Sequence, residues 1–319
     1  MDELHRKALS IFYPRLLDSA QWVEREGLRF VQYTSAEAAM SILRNKEVWL
    51  RNVQCMNDYM EVEHGFECLV TAFNSENEGK RFKNVLESIF PGLVSEVGKL
   101  FDSWLPHLRS STYIACVSEH PASEDRYGRL SMWRAYGGKR PVAIVMNREA
   151  FKSETDILAA YTHPVAYLDT DEFNREFGLL AERIHQNRDF VKQLTQKQVI
   201  AYLFELFKTF VLCVKHPGFL EELEWRVVYT PVLKKSEHVG SSIESIGGVP
   251  QEVHKIPLAN LPEYNLHNIE IPELVERIII GPTDHQRVLG HTFTRLLEEA
   301  GCGDAAERVF YSGIPLRSE

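Results

Sequence analysis

The chain has 319 residues, 44% apolar and 25% charged, which is ordinary soluble-globular composition with enough apolar side chains for a sizeable core. Its 45 acidic residues outnumber 36 basic ones, and a net charge of −9 argues against bulk electrostatic affinity for nucleic acid or an anionic membrane. Five cysteines without C-x-x-C spacing suggest neither a disulfide framework nor a thiolate zinc site, and no apolar run has signal or membrane-span length, so a cytoplasmic protein is expected.

Leu4, Ala8, Ile11, Phe12, Leu16 and Val23 recur at broadly helical spacing with an interruption at Pro14. They predict a broken amphipathic helix that Gly27 ends, so residues 1–27 form an N-terminal helical extension. Leu28 to Tyr33 is a first strand. Thr34, with Glu37 three residues on, is read as the N-cap of a helix from Ser35 to Arg44. Val48 to Arg51 is a second strand, and Asn57-Asp58 marks a polar turn after it.

Residues 61–110 are helical in pattern with a Pro91-Gly92 break, and 171–214 are helical with a turn near Gln196. Both are read as helical insertions. Between them lie a strand from Ser111 to Ser118, a short helix carrying Trp133 and Tyr136 on one face, and an apolar strand from Val142 to Met146. Glu222, Glu224 and Arg226 alternate with Leu223, Trp225 and Val227, the signature of a half-buried strand whose polar face presents its groups about 7 Å apart. Lys234 to Pro250, rich in Ser, Gly and charge, is read as a mobile loop, and Val253 to Ile256 as an edge strand. The chain closes with a strand to Ile280, a turn at Gly281-Pro282, a helix from about Thr283 to Ala300 and a strand from Arg308 to Tyr311, a unit that implies one parallel pair. The expectation is a single α+β domain, 1–319, with a mixed, mostly antiparallel central sheet.

No phosphate-loop, dinucleotide, H-E-x-x-H or G-x-S-x-G motif occurs, and no two of the twelve histidines have metal-ligand spacing beside a carboxylate. What remains is a set of polar residues at strand ends. The ordered set is Tyr33-Thr34-Ser35, Asn57-Asp58 with Glu61, Ser118, Met132-Trp133 with Tyr136-Gly137, Lys215, Glu222, Glu224, Arg226, Gly281-Pro282 and Ser312-Ile314-Pro315-Arg317. It resembles the bacterial domain-of-unknown-function family 2971 across residues 28 to 317. Met56, Tyr59 and Phe219 depart from that family's pattern.

More loosely, the strand, short helix and strand at the front, a mid-chain aromatic and a late E-x-E strand resemble the ADP-ribosyltransferase fold. That resemblance implies NAD as substrate, a macromolecular acceptor, and a toxin or antiviral-defence setting. Such chemistry needs a carboxylate against the positive charge that develops on the ribose, aromatic walls for nicotinamide and an arginine for pyrophosphate. The resemblance assigns Glu224 to the ribose, Glu222 to the acceptor, Tyr33 with Thr34 and Ser35 to the nicotinamide ribose and carboxamide, Tyr136 or Trp133 to stacking, and Arg51 to phosphate. Asn57, Asp58 and Arg226 complete the implied binding set, with no resident metal.

Two other readings stand beside it. One is a non-catalytic sensor holding a nucleotide or peptide within the same polar walls. The other is a metal-dependent nuclease with Asn57-Asp58, Glu61, Glu222 and Glu224 as oxygen ligands. On the blander side, Trp133 serves as core, Arg226 only pairs a neighbouring carboxylate, and Asn57-Asp58 only shapes a turn.

Overall fold

The period-2 segments become strands. A computed structural model describes residues 3–56, 62–152 and 155–315. Its strands are β1 (Arg29–Ser35), β2 (Glu47–Asn52), β3 (Tyr113–His120), β4 (Pro141–Met146), β5 (Ala160–Pro164) and β6 (Ala166–Tyr167). They continue with β7 (Val214–Lys215), β8 (Glu224–Tyr229), β9 (Gly240–Ile246), β10 (Val249–Pro257), β11 (Val275–Ile280) and β12 (Val309–Tyr311). One 10-stranded sheet runs β12-β11-β4-β1-β3-β2-β10-β9, with β8 bonded to β3 and β5. β11 and β12 run parallel, on either side of the helix Gln286–Glu299, as the closing strand–helix–strand pattern predicts. The ladders β1–β3, β1–β4, β4–β11, β3–β8, β2–β10 and β9–β10 are antiparallel. The protein is therefore α+β with a mostly antiparallel sheet.

Two compact units divide the chain: Met1–Gln21, Asn52–Thr112 and His163–Leu220 make the first, and Trp22–Arg51, Tyr113–Thr162 and Glu221–Glu319 the second. The first is built on helices, among them Glu3–Phe12, Glu63–Asn74, Glu78–Ile89, Leu93–Ser110, Thr170–Gln186 and Gln196–Cys213. Aromatic residues spaced along these helices bury against one another; Phe82 and Phe177, for example, meet at 4.7 Å. Asp169 and Thr195 each form a capping box, with Glu172 and Gln198, so two of the helices start where their sequence says.

The second unit carries most of the sheet. Residues directly opposite on neighbouring strands point to the same face. On one face Phe30, Val117, Val142, Ile144, Trp225, Ile278 and Ile280 form a large apolar core under the helices Ala36–Asn45 and Gln286–Glu299. The other face, treated below, is where the polar strand residues collect.

Three local expectations are corrected. The helix after β1 is capped by Ser35, whose Oγ accepts from the Ala38 N–H at 3.3 Å, because β1 continues through Thr34 to Ser35. Lys234 to Pro250 is a loop only in its first part: β9 and β10 form a hairpin across Gly247-Gly248, both at positive φ (59° and 82°). Two successive glycines at positive φ suit the twist of a two-residue hairpin turn, a signal that the Ser- and charge-rich composition masks. Finally, β10 is interior to the sheet, paired with β2 on one side and β9 on the other, and β9 forms the edge.

Candidate functional site

β8 begins one residue later than its alternation suggests. Pro217–Glu222 is a 3-10 segment, Leu223 takes a left-handed φ of 44°, and the strand starts at Glu224. Glu222 therefore leaves the backbone from a turn, while Glu224 and Arg226 follow on one face of β8. Opposite them on β3 stand Ser118 and Cys116, and beyond Ser118 stands Val31 of β1. Trp225 points to the other face, where it meets Phe30 edge-on at 5.3 Å and donates from its indole to Glu119 at 2.9 Å.

The polar face of β8 is buried. Glu222, Glu224 and Arg226 are 8%, 5% and 1% exposed. Arg226 donates from Nε to Glu224 Oε1 at 2.8 Å, a buried ion pair between residues two apart on one strand. Removing one partner of such a pair is far more destabilising than exchanging both for apolar groups.

The short helix Leu130–Tyr136 lies over the neighbouring strands. There Val31, Tyr33, Ala143, Val145 and Ile279 pack with Met132 and Trp133, and Tyr136 and Ile314 flank them. Trp133 is 2% exposed, donates to the Tyr127 carbonyl at 2.7 Å and meets Tyr33 edge-on at 4.7 Å. A Cβ on Gly128, whose φ is +65°, would come within 2.6 Å of that indole, so the residue at this position has to be glycine. Trp133 is thus a core residue, and Tyr136 is the half-buried aromatic on this helix. Its hydroxyl donates to Glu222 Oε1 at 2.5 Å. Burial first, then this bond and the charges of Glu222 and Glu224, keep the Tyr136 phenol protonated far above its ordinary range. Burial pushes Tyr33 up to about 12.

An arginine absent from the expected set ties these parts together. All five guanidinium N–H groups of Arg129 have acceptors: Nε and Nη2 grip the two oxygens of Glu124 at 3.0 and 3.1 Å, Nη2 also reaches the Glu119 carbonyl at 2.9 Å, and Nη1 reaches the carbonyls of Glu221 and Glu222 at 2.8 and 3.2 Å. Its backbone N–H donates to the Tyr33 hydroxyl at 2.8 Å. The strained Leu223 is held from both sides, since its own carbonyl accepts from the Glu119 N–H at 2.9 Å. Arg129 follows a loop, outside any periodic pattern, so nothing but its charge marked it.

Residues 33, 136, 222, 224 and 226 are therefore drawn into one cluster. Thr34 is on the opposite face from Tyr33, across from Val142 in the large core, because neighbours on a strand alternate. Ser35 serves as the helix cap. Arg51 is on the β2–β10 ladder, where Nε donates to Gln251 at 3.4 Å. Asn57, Asp58, Glu61 and Arg317 lie outside the described residues. Among the described residues no three His, Cys, Asp or Glu side chains form a group suited to a metal ion, and no helix is long and apolar enough to cross a membrane.

The tryptophan, the tyrosine and the acidic pair that meet here are the mid-chain motif residues. Residues 132–227 match the family described as Protein of unknown function (DUF2971). The DUF2971 match starts at Met132 and runs one residue past Arg226, so it reaches from the aromatic helix into the acidic strand and supports the family resemblance for the motif residues between them. No curated protein and no solved structure matches the chain.

Proposed function

We propose that the chain is an ADP-ribosyltransferase-like enzyme that cleaves the nicotinamide–ribose bond of NAD and passes ADP-ribose to a macromolecule or to water. The observation that carries this reading is the Tyr136 hydroxyl bonded to Glu222 at 2.5 Å, beside Glu224 on the same stretch of chain. An aromatic side chain meets a carboxylate pair far from it in sequence, at the start of a late strand, and Tyr33 belongs to the cluster on which Tyr136 packs. The donor set suits the substrate: carboxylates for ribose hydroxyls and for positive charge at the anomeric carbon, a phenol edge for an aromatic ring. Charge-assisted hydrogen bonds of this kind contribute about 1.5–3 kcal/mol each. Glu224, paired with Arg226, is the carboxylate for the ribose, and Glu222, hydrogen-bonded by Tyr136, addresses the acceptor. The setting is the cytoplasm, in keeping with five free thiols.

The test is release of nicotinamide from NAD by the purified chain, with and without a cell extract as acceptor source. Glu224→Gln and Glu222→Gln are expected to lower it at least about 100-fold, the scale of a lost general base or charge stabiliser. Glu222→Gln keeps the size of the side chain and an oxygen for the Tyr136 hydroxyl, and its Tm separates lost chemistry from lost folding. A wild-type chain that releases no nicotinamide in either condition overturns the reading.

A second reading, a non-catalytic sensor of a nucleotide or peptide, is favoured by one feature: Glu224 and Arg226 are buried and already satisfy each other. It predicts a rise in Tm with nucleotide and no product.

A further inference from the structure

The helical unit holds a cavity of about 80 Å³ that is unrelated to the acidic cluster. Its walls are apolar: Phe173, Phe177 and Leu180 come from one helix at spacings of four and three, Leu206 and Phe210 from another at a spacing of four, and Phe12 closes it. The space is several times the 10–15 Å³ one water needs, yet the lining offers few of the polar partners that retain water. It is therefore shaped for an apolar body.

Two arginines are on the wall, and Arg183 is the more buried of them. Arg183, three residues after Leu180, is half-buried and donates from Nε to the Ile11 carbonyl at 3.3 Å. Its two terminal amino groups have no hydrogen-bond partner among the described residues. Burial lowers its pKa from the ordinary arginine range, against the opposing influence of Glu176 and Asp18. Of the other wall residues, Arg15 and Glu176 approach each other at 3.9 Å and are each about half exposed. His163, desolvated and repelled by Lys208, is pushed down to about 4 and stays neutral. A half-buried guanidinium with unpaired terminal amino groups, on the wall of a mostly apolar chamber, fits one planar monoanion better than a phosphate, which would need several donors.

We infer that this cavity binds a small amphipathic carboxylate, with its hydrocarbon part among Phe173, Phe177 and Phe210 and its carboxylate on the two terminal amino groups of Arg183. The probe is octanoate, compared with 1-octanol and acetate, by calorimetry and thermal unfolding of the full chain. Octanoate is expected to raise Tm in proportion to the logarithm of its concentration. Octanol is expected to bind at least about tenfold more weakly, and acetate not at all. Arg183→Gln is expected to weaken octanoate at least about tenfold while sparing octanol. Absence of octanoate binding, equal binding of octanol, or octanoate binding unchanged in a folded Arg183→Gln variant overturns the proposal. The three-ligand comparison on the wild-type chain decides the matter even if the variant does not fold.

Discussion

Arg129 shows how much one side chain organises at this site. A lysine in its place keeps the charge but not the planar fork, so it cannot hold Glu124 through both oxygens and also reach three carbonyls on two segments. Arg129→Lys is expected to lower stability by about 2–3 kcal/mol, since several partly buried acceptors lose a charged donor together. Urea unfolding measures this, and a change below about 0.5 kcal/mol would mean the network is ornamental. His120 is a second residue-scale case. Its ring is fully buried and its Nε2 is 2.9 Å from Asp125, with Glu124, Arg29 and Arg129 also facing it. Burial outweighs the Asp125 bond and lowers its pKa from 6.5 to about 4. The unfolded chain therefore takes up the proton first as pH falls. The stability that depends on a neutral His120 is complete above about pH 6.5 and is lost toward pH 4, at a limiting slope of about 1.4 kcal/mol per pH unit. Denaturant midpoints at pH 7.5, 6 and 5 should fall along that slope, and more shallowly for His120→Gln. A flat wild-type profile contradicts the assignment. The sequence signalled neither residue. His120 ends β3 and Arg129 stands between the loop after it and the next helix, where no periodicity marks them, whereas Glu224 and Arg226 stood out because period-2 alternation made them conspicuous.

At the scale of elements, patterning is legible where apolar spacing sets the structure and is lost where backbone dihedrals do. The broken helix at Pro14, the helix break at Pro91-Gly92 and the parallel β11–β12 pair follow from apolar spacing and from Pro and Gly positions, whereas the break between Asn74 and Glu78 carries neither residue. The reach of β8 does not. Leu223 has a left-handed φ that no leucine advertises, and it removes Glu222 from the pleat on which alternation would place it. Thr34 shows the converse: a capping signal one residue early cannot override a strand that continues through it. The β9–β10 turn gives a direct test of the dihedral argument. Gly247 and Gly248 both have positive φ, and a Cβ added at either would meet nothing within contact distance, so a side chain there strains only the backbone. Gly248→Val is expected to cost about 1–2 kcal/mol, the scale of a β-branched residue forced into that region. Gly240→Ala, at a position without positive φ and also uncrowded, should be near neutral. Equal effects of the two substitutions would show that the turn does not govern the hairpin.

For the whole molecule, the decisive fact is how the chain is shared between its units. Each unit is assembled from three separate stretches, and the polypeptide passes from one to the other at 21/22, 51/52, 112/113, 162/163 and 220/221. The strands after the last passage depend on strands before it: β8 bonds to β3 and β5, β10 to β2, and β11 to β4. Among the described residues of 221–319 only the β9–β10 and β11–β12 ladders have both members, and Ile278, Ile279 and Ile280, each fully buried in the sheet, lose their β4 neighbours. An isolated two-stranded ribbon is marginal in water. The fragment 221–319 is therefore expected to show no cooperative unfolding, with far-ultraviolet circular dichroism of a mostly disordered chain and residual hairpin signal from β9–β10. Mixing it with fragment 1–220 under refolding conditions should restore a cooperative transition, because the missing ladders are then supplied in trans. A cooperative melt of 221–319 alone would mean that β8 and β11 find stable partners without β3 and β4, and the acidic strand would then owe its position to something other than the sheet described.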